Sequence, residues 1–164
     1  RDQQIMDEKD ENYGAFMDVD HILDAKYTIY RTASMISLYC NEDSELYRDE
    51  ALFKRIMAGL GLAKKMQLDS GLFDYVTCNF SSAPDTAFCI KKLMPTFFFL
   101  RDIRGNNRTE NEQKIFDIIN DIFCCLFAKT TFSIIVVKTN HILTSIKKIL
   151  NSVIKFIIDN VVLQ

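Results

Sequence analysis

The residues best suited to catalysis or metal binding are few and lie far apart. Only two histidines occur, His21 and His141, and no serine lies in the G-x-S-x-G elbow that presents a nucleophile. Asp20, His21 and Asp24 lie within one helical turn and could bind a metal ion, but carboxylates there also cap a helix start. The segment Gly59-Leu60-Gly61 lacks the third glycine of a dinucleotide site. We therefore predict no catalytic residue, metal or cofactor, and a protein that is not an enzyme.

The cysteines and the glycosylation sequons favour different compartments. Five cysteines, with an adjacent pair at Cys124 and Cys125 and no C-x-x-C spacing, make a poor disulfide or zinc framework. Reduced thiols in a cytoplasmic protein are the favoured interpretation, and the adjacent pair is interpreted as core filling rather than as a redox or palmitoylation site. Two sequons, at Asn79 and Asn107, instead favour secretion.

Composition indicates a helical domain with a sizeable core. The chain has 164 residues, of which 48% are hydrophobic, with only two prolines and five glycines. Helix interiors exclude proline and disfavour glycine, so long helices are predicted. The net charge of −2 gives no global attraction to nucleic acid or to an anionic membrane. No apolar stretch reaches the roughly 18 residues of a membrane span, so none is predicted.

Charge is distributed unevenly along the chain. The first 50 residues carry thirteen acidic side chains against five basic ones, whereas residues 129–164 carry five lysines and one aspartate. Because residues 1–17 are acidic and have few core candidates, we predict a flexible acidic arm there. Residues 18–164 are predicted to form a single helical domain.

Apolar periodicity predicts most of the helices. A first helix carries the stripe Ile22, Ile29, Ala33, Ile36 and Cys40, and a second carries Leu46, Leu52, Ile56, Leu60 and Ala63. A turn at residues 69–71 and a short helix over residues 72–76 follow, with a loop at residues 78–85. Residues 87–100, kinked at Pro95, are predicted to be a hydrophobic central helix. After a loop at residues 101–108, Thr109 and Glu112 form a capping box. An amphipathic helix covers residues 142–156, and the class is an all-α bundle of six to seven helices.

Three segments resemble the poxviral Bcl-like family (the B-cell lymphoma-two fold). They are YTIYR at residues 27–31, Leu46-Tyr47 at the start of the second helix, and LDSGLFDYV at residues 68–76. The resemblance implies a Bcl-like bundle. It also implies a viral immune-evasion protein of the host cytoplasm that binds a Toll or interleukin-receptor adaptor, or a downstream kinase, and so inhibits NF-κB-type signalling. Family members often pair, so a homodimer is a further expectation.

The departures from the family bear on which branch is implied. An Asp-Asp pair usual in the second helix is replaced by Gly59-Leu60-Gly61, the chain has no tryptophan, and the glycine–arginine signature that grips a death-motif helix is missing. Signalling inhibition is therefore favoured over the alternative of an anti-apoptotic binder of death-motif helices. Tyr27, Tyr30 and Arg31 are the predicted partner contacts.

A different class remains open. The two sequons and thirteen phenylalanines would also suit a secreted helical lipid carrier or a cytokine-like ligand.

Overall fold

The computed structural model describes residues 4–17, 20, 22–76 and 79–136, with side chains described up to Phe127. It is mostly helical: α1 (Ala25–Cys40), α2 (Glu50–Met66), β1 (Phe73–Tyr75), β2 (Asn79–Ser82), α3 (Ala83–Phe98), a π-helical turn (Phe99–Arg104), a 3-10 turn (Gly105–Asn107) and α4 (Glu110–Val136). The chain divides into two compact units, residues 1–127 and residues 128–164, where one domain was predicted from residue 18 onward. The helix predicted over residues 142–156 lies outside the described residues.

A side chain caps the start of every described α-helix. Asp24, Asp49 and Ser82 each accept a hydrogen bond from the backbone N–H three residues later, at 2.5, 2.6 and 3.2 Å. These bonds satisfy amide groups that the first helical turn leaves without partners. The capping box predicted at Thr109 and Glu112 is confirmed at the start of α4. Local sequence therefore fixes where these helices begin.

The central helix of the described part is α1, which packs against both α2 and α3. Nine of its 16 residues are buried, and Ile29 and Ile36 are fully enclosed. The prediction that residues 87–100 form the central helix is wrong, because only five of the 16 residues of α3 are buried. Positions on the other side of α3, including Phe88 and Lys92, are exposed. The prediction failed because apolar residues such as Phe88 also occur on the exposed side of α3.

Helices α1 and α2 approach closely at Gly59. A Cβ atom at this position would lie less than 3.0 Å from the Thr32 hydroxyl oxygen on α1, whereas a Cβ at Gly61 would meet nothing within 4 Å. Thr32 is completely buried. The missing side chain of Gly59 therefore sets the distance between the two helices.

Residues 4–17 are packed rather than extended as an arm. The backbone pairs antiparallel, with Ile5 N–H donating to the Ala15 carbonyl at 2.9 Å, and Gln4 exchanges hydrogen bonds with the backbone and side chain of Arg55 on α2. Ala15 and Phe16 are buried in the core. The predicted flexible arm is corrected here: the few apolar side chains near residue 16 suffice to fix the segment.

A two-stranded antiparallel hairpin replaces the short helix predicted over residues 72–76. Phe73 pairs with Ser82 and Tyr75 pairs with Asn79, with an irregularity between the two pairs. Phe73 is buried, and its N–H donates to the Thr86 hydroxyl of α3 at 2.8 Å. Pairing with residues 79–82, which local periodicity does not reveal, selects the extended conformation.

The turn before this hairpin lies against α4. Gly71 has a positive φ of 83°, and a Cβ there would lie 2.6 Å from the Leu126 Cα atom. Gln67 spans the same contact, donating to the carbonyls of Gly71 and Ile122 at 2.9 and 3.0 Å. These contacts fix the position of the turn, and of the hairpin that follows it, relative to α4.

Helix α3 continues through Pro95 to Phe98 before its geometry changes. The Phe99 N–H is shared between the carbonyls of Pro95 and Thr96, and a π-helical turn follows to Arg104. The predicted loop at residues 101–108 is therefore helical over most of its length. Proline removes one backbone donor without ending this helix.

Candidate interaction surface

Lys26 lies at a junction of α1, β1 and α3. Its ammonium nitrogen is 2.8 Å from a carboxylate oxygen of Asp85. It is also 4.9 Å from the centre of the Tyr75 ring and 5.4 Å from that of Phe88. A cation at such distances is attracted by the ring electrons. One side chain of α1 thus contacts two aromatic rings and a carboxylate from two other elements, β1 and α3.

The charges of this junction stabilise each other. The hydrogen bond to Asp85 raises the pKa of Lys26, against the opposing effect of burial. The same bond, helped by Ser82, lowers the pKa of the Asp85 carboxyl. The Ser82 hydroxyl donates to Asp85 and also caps α3. Both groups therefore remain charged at neutral pH.

A second cation–ring pair lies one helical turn further along. The Lys92 ammonium of α3 lies 5.6 Å from the centre of the Tyr30 ring of α1. Tyr30 follows Lys26 by four residues, as Lys92 follows Phe88, so each pair shares one side of its helix. Cations and rings alternate across the two helices. We call this surface the α1–α3 face; it comprises Lys26, Tyr30, Tyr75, Asp85, Phe88 and Lys92.

The three predicted partner contacts have different environments. Tyr30 lies on the α1–α3 face and is half-buried. Tyr27 is half-buried and packs against the core. Arg31 is exposed, with its guanidinium 5.6 Å from the centre of the Phe16 ring. Only Tyr30 therefore joins the cation–ring arrangement, while Arg31 lies near the N-terminal segment.

Of the six residues of the α1–α3 face, sequence reasoning found only Tyr30; it missed Lys26, Tyr75, Asp85, Phe88 and Lys92. Phe88 was placed within a buried helix, yet 48% of it is exposed. The signal was the four-residue spacing of Phe88 and Lys92, which matches that of Lys26 and Tyr30. Tyr75 could be found only with the hairpin.

A second polar cluster surrounds a buried carboxylate and has a structural role. Glu112 is completely buried, and one of its oxygens lies 3.5 Å from Arg104 and 3.7 Å from Arg48. Arg104 also donates to Glu42 at 3.0 Å and to the Cys40 carbonyl at 3.4 Å. The cluster joins the α1–α2 turn, the π-helical turn and the start of α4. Because Glu112 is enclosed, its carboxylate is out of reach of a ligand, and the exposed Glu42 is already paired with Arg104.

The four described cysteines are free thiols. Burial raises the pKa of both Cys40 and Cys89 to about 12. Such thiols carry almost no thiolate at neutral pH and are poor nucleophiles. Cys124 is exposed and Cys125 is half-buried, so the prediction that the adjacent pair fills the core is wrong for Cys124. Its position on the outer side of α4 follows from the buried stripe through Ile119 and Ile122.

An open groove of about 800 Å³ runs between residues 8–13 and the outer side of α2. Its lining includes carboxylates of the N-terminal turn, the apolar Met57 and Leu62, and the lysines Lys54 and Lys65. The charges on its two walls have opposite sign and largely compensate each other.

Comparisons with known proteins give no match. No protein-family description, no curated protein and no solved structure matches it. Within the described ranges, no helix has both the length and the apolar character to cross a bilayer. In the same part of the chain, no three His, Cys, Asp or Glu side chains converge as metal ligands would; His21 and His141 lie outside it. The α1–α3 face is the candidate site that the geometry favours.

Proposed function

We propose that this protein is a non-enzymatic binding module that acts through the α1–α3 face. One observation carries the proposal: the Lys26 ammonium contacts both the exposed Phe88 ring and the Tyr75 ring. Exposed aromatic side chains on a rigid framework are the usual anchors of protein interfaces. Capped helices on both sides and the Lys26–Asp85 pair keep these rings in place without a partner.

We further propose a viral immune-evasion role, in which the partner is a host Toll or interleukin-receptor adaptor or a downstream kinase. The support is the resemblance of residues 27–31 and 68–76 to the poxviral Bcl-like family. These two segments are distant in sequence, yet Tyr30 and Tyr75 lie on the same face. A Bcl-like bundle of six to seven helices and a host-cytoplasmic location belong to this proposal.

The experiment is an NF-κB reporter assay in human cells stimulated through Toll and interleukin-1 receptors, with co-precipitation of tagged adaptors and kinases. The wild-type protein is expected to lower the reporter signal and to capture one component. The double variant Tyr30→Ala/Phe88→Ala is expected to lose both effects. Leu46→Ala, which truncates an exposed apolar residue between α1 and α2, serves as the matched control. An inactive wild-type protein would overturn the signalling role, and an active double variant would overturn the face.

A secreted role is the second candidate, because both sequon asparagines are exposed. Asn79 lies on β2 and Asn107 in the 3-10 turn. Intact-mass analysis of protein made in virus-infected cells separates the two candidates. Attached glycans at Asn79 or Asn107 would favour secretion, whereas the unmodified mass supports the cytoplasmic proposal.

A further inference from the structure

We infer that the partner segment bound by the α1–α3 face is an acidic peptide segment carrying one large apolar side chain. This inference rests on the proposed binding function of the face. The carboxylate of the α1–α3 face, Asp85, is already paired with Lys26 at 2.8 Å. The neighbouring Lys91 and Lys92 are exposed and form no ion pair within the described part of the chain. The face therefore has an excess of positive charge.

The apolar part of the partner follows from the rings. Phe88 is 48% exposed, and covering the rest of its surface removes apolar area from water. Burial of this kind supplies most of the affinity at an interface, while charges at its edge steer association and select partners. An apolar side chain placed on Phe88 is the expected anchor.

The spacing of anchor and charge is set by Lys92. Its ammonium lies 5.6 Å from the Tyr30 ring centre and one helical turn from Phe88, so about 6 Å separates the two side chains along α3. A carboxylate that meets Lys92 must therefore lie within one to three residues of the apolar anchor. The expected ligand is a short segment in which Asp or Glu adjoins a Phe, Leu or Ile.

The test selects peptides from a phage-displayed library of random dodecapeptides on the full chain. Enriched peptides are then synthesised, and their Kd values are measured by fluorescence anisotropy. We expect an excess of Asp and Glu next to a large apolar residue. Lys91→Glu/Lys92→Glu should weaken binding about tenfold or more, since reversed charges repel the ligand. Lys54→Glu, which changes an exposed lysine on α2, should leave Kd unchanged.

Each other result has a defined meaning. Peptides that lose affinity with Phe88→Ala but not with the lysine reversals would overturn the acidic partner while leaving the binding face intact. Peptides whose affinity is unchanged by Phe88→Ala and by the two lysine reversals bind elsewhere. They would overturn both the binding face and the acidic partner. A neutral or basic selected pool would also overturn the inference. A concentration-dependent dimer abolished by the lysine reversals would make a second copy the occupant instead.

Discussion

Glu112 serves α4 and the protein core with different oxygens of one carboxylate. Oε2 accepts a hydrogen bond from the Thr109 N–H at 2.8 Å, and the Glu112 N–H donates to the Thr109 hydroxyl at 3.2 Å. Oε1 lies 3.5 Å from the Arg104 guanidinium and 3.7 Å from that of Arg48. The start of α4 is thereby tied to the π-helical turn that precedes it and to the α1–α2 turn, which is distant in sequence.

Replacing Glu112 tests how much its ion pairs with Arg48 and Arg104 contribute to stability. Glu112→Gln retains an oxygen that can accept the capping bond but removes the charge between the two arginines. Breaking a buried ion pair from one side is strongly destabilising, and we expect the free energy of unfolding to fall by about 2 kcal/mol. Urea denaturation measures this loss. Glu110→Gln, in the exposed first turn of the same helix, should change it little; equal losses would show that the ion pairs contribute nothing.

Two glycines of α2 give opposite predictions for the same substitution. Gly59→Ala places a methyl group against Thr32, and we expect a loss of about 1–3 kcal/mol in the free energy of unfolding from overpacking. Gly61→Ala meets open space, so helix propensity alone should stabilise the protein by about 0.5–1 kcal/mol. Thermal and urea denaturation compare the two. Adding Thr32→Ala to Gly59→Ala should restore part of the lost free energy of unfolding. If it restores none, the added methyl group does not clash with Thr32.

The Lys26–Asp85 pair predicts a pH dependence of stability. The folded state lowers the pKa of Asp85 and raises that of Lys26. The Asp85 contribution is therefore present above its ordinary pKa of 3.8 and is lost as the pH falls below it. The Lys26 contribution is present below 10.5 and is lost as the pH rises above it.

Lys26→Met should remove the Lys26 effect and the larger part of the Asp85 effect, leaving the part due to Ser82. It should cost about 0.5–1 kcal/mol near neutral pH, since the pair is largely but not fully shielded. Urea denaturation across the pH range gives the two profiles. Lys92→Met is the control because Lys92 lacks an ion pair within the described residues. If Lys26→Met kept the wild-type dependence of stability on pH, the Lys26–Asp85 pair would not contribute to stability.

Burial of the thiols predicts both reactivity and alkaline stability. Cys124 should be alkylated by iodoacetamide in the native protein, whereas Cys40 and Cys89 should react only in denaturant; peptide mass mapping distinguishes them. The folded pKa of about 12 exceeds the ordinary value of 9.0 for both buried thiols. Their contribution to stability is therefore complete below pH 9 and decreases as the pH rises through 12. Native alkylation of Cys40 would contradict the structure.

The apolar stripes of the helices were readable from the sequence because they depend on nearby residues. Of the helix starts, only that of α4 was predicted; α3, for example, begins at Ala83, inside the loop predicted over residues 78–85. The stripe through Ile29 and Ile36 is buried on α1, and the stripe through Ile56 and Leu60 is buried on α2. The capping box at Thr109 uses only residues three apart. In each case, short-range geometry decides the structure.

The wrong predictions concern residues whose structure depends on contacts with parts of the chain that are distant in sequence. Residues 73–75 are extended because residues 79–82 pair with them. Phe16 is buried, and its N–H donates to the Thr28 hydroxyl of α1. Phe88 looked like core because its neighbours are apolar, but its side of α3 has no covering helix within the described residues. For the same reason only Tyr30 of the candidate face was predicted; its neighbours Tyr75 and Lys92 come from other elements.

The π-helical turn at Phe99–Arg104 is geometrically equivalent to an α-helix that has gained one residue without breaking. Each added residue rotates the downstream side chains by about 100° around the helix axis. In α1 such a gain would turn Ile36 from the core toward water. After α3 it instead brings Arg104 under the α1–α2 turn, where Glu42 and Glu112 receive it. Deleting one residue from this turn is therefore expected to rotate Arg104 by about 100° away from both carboxylates.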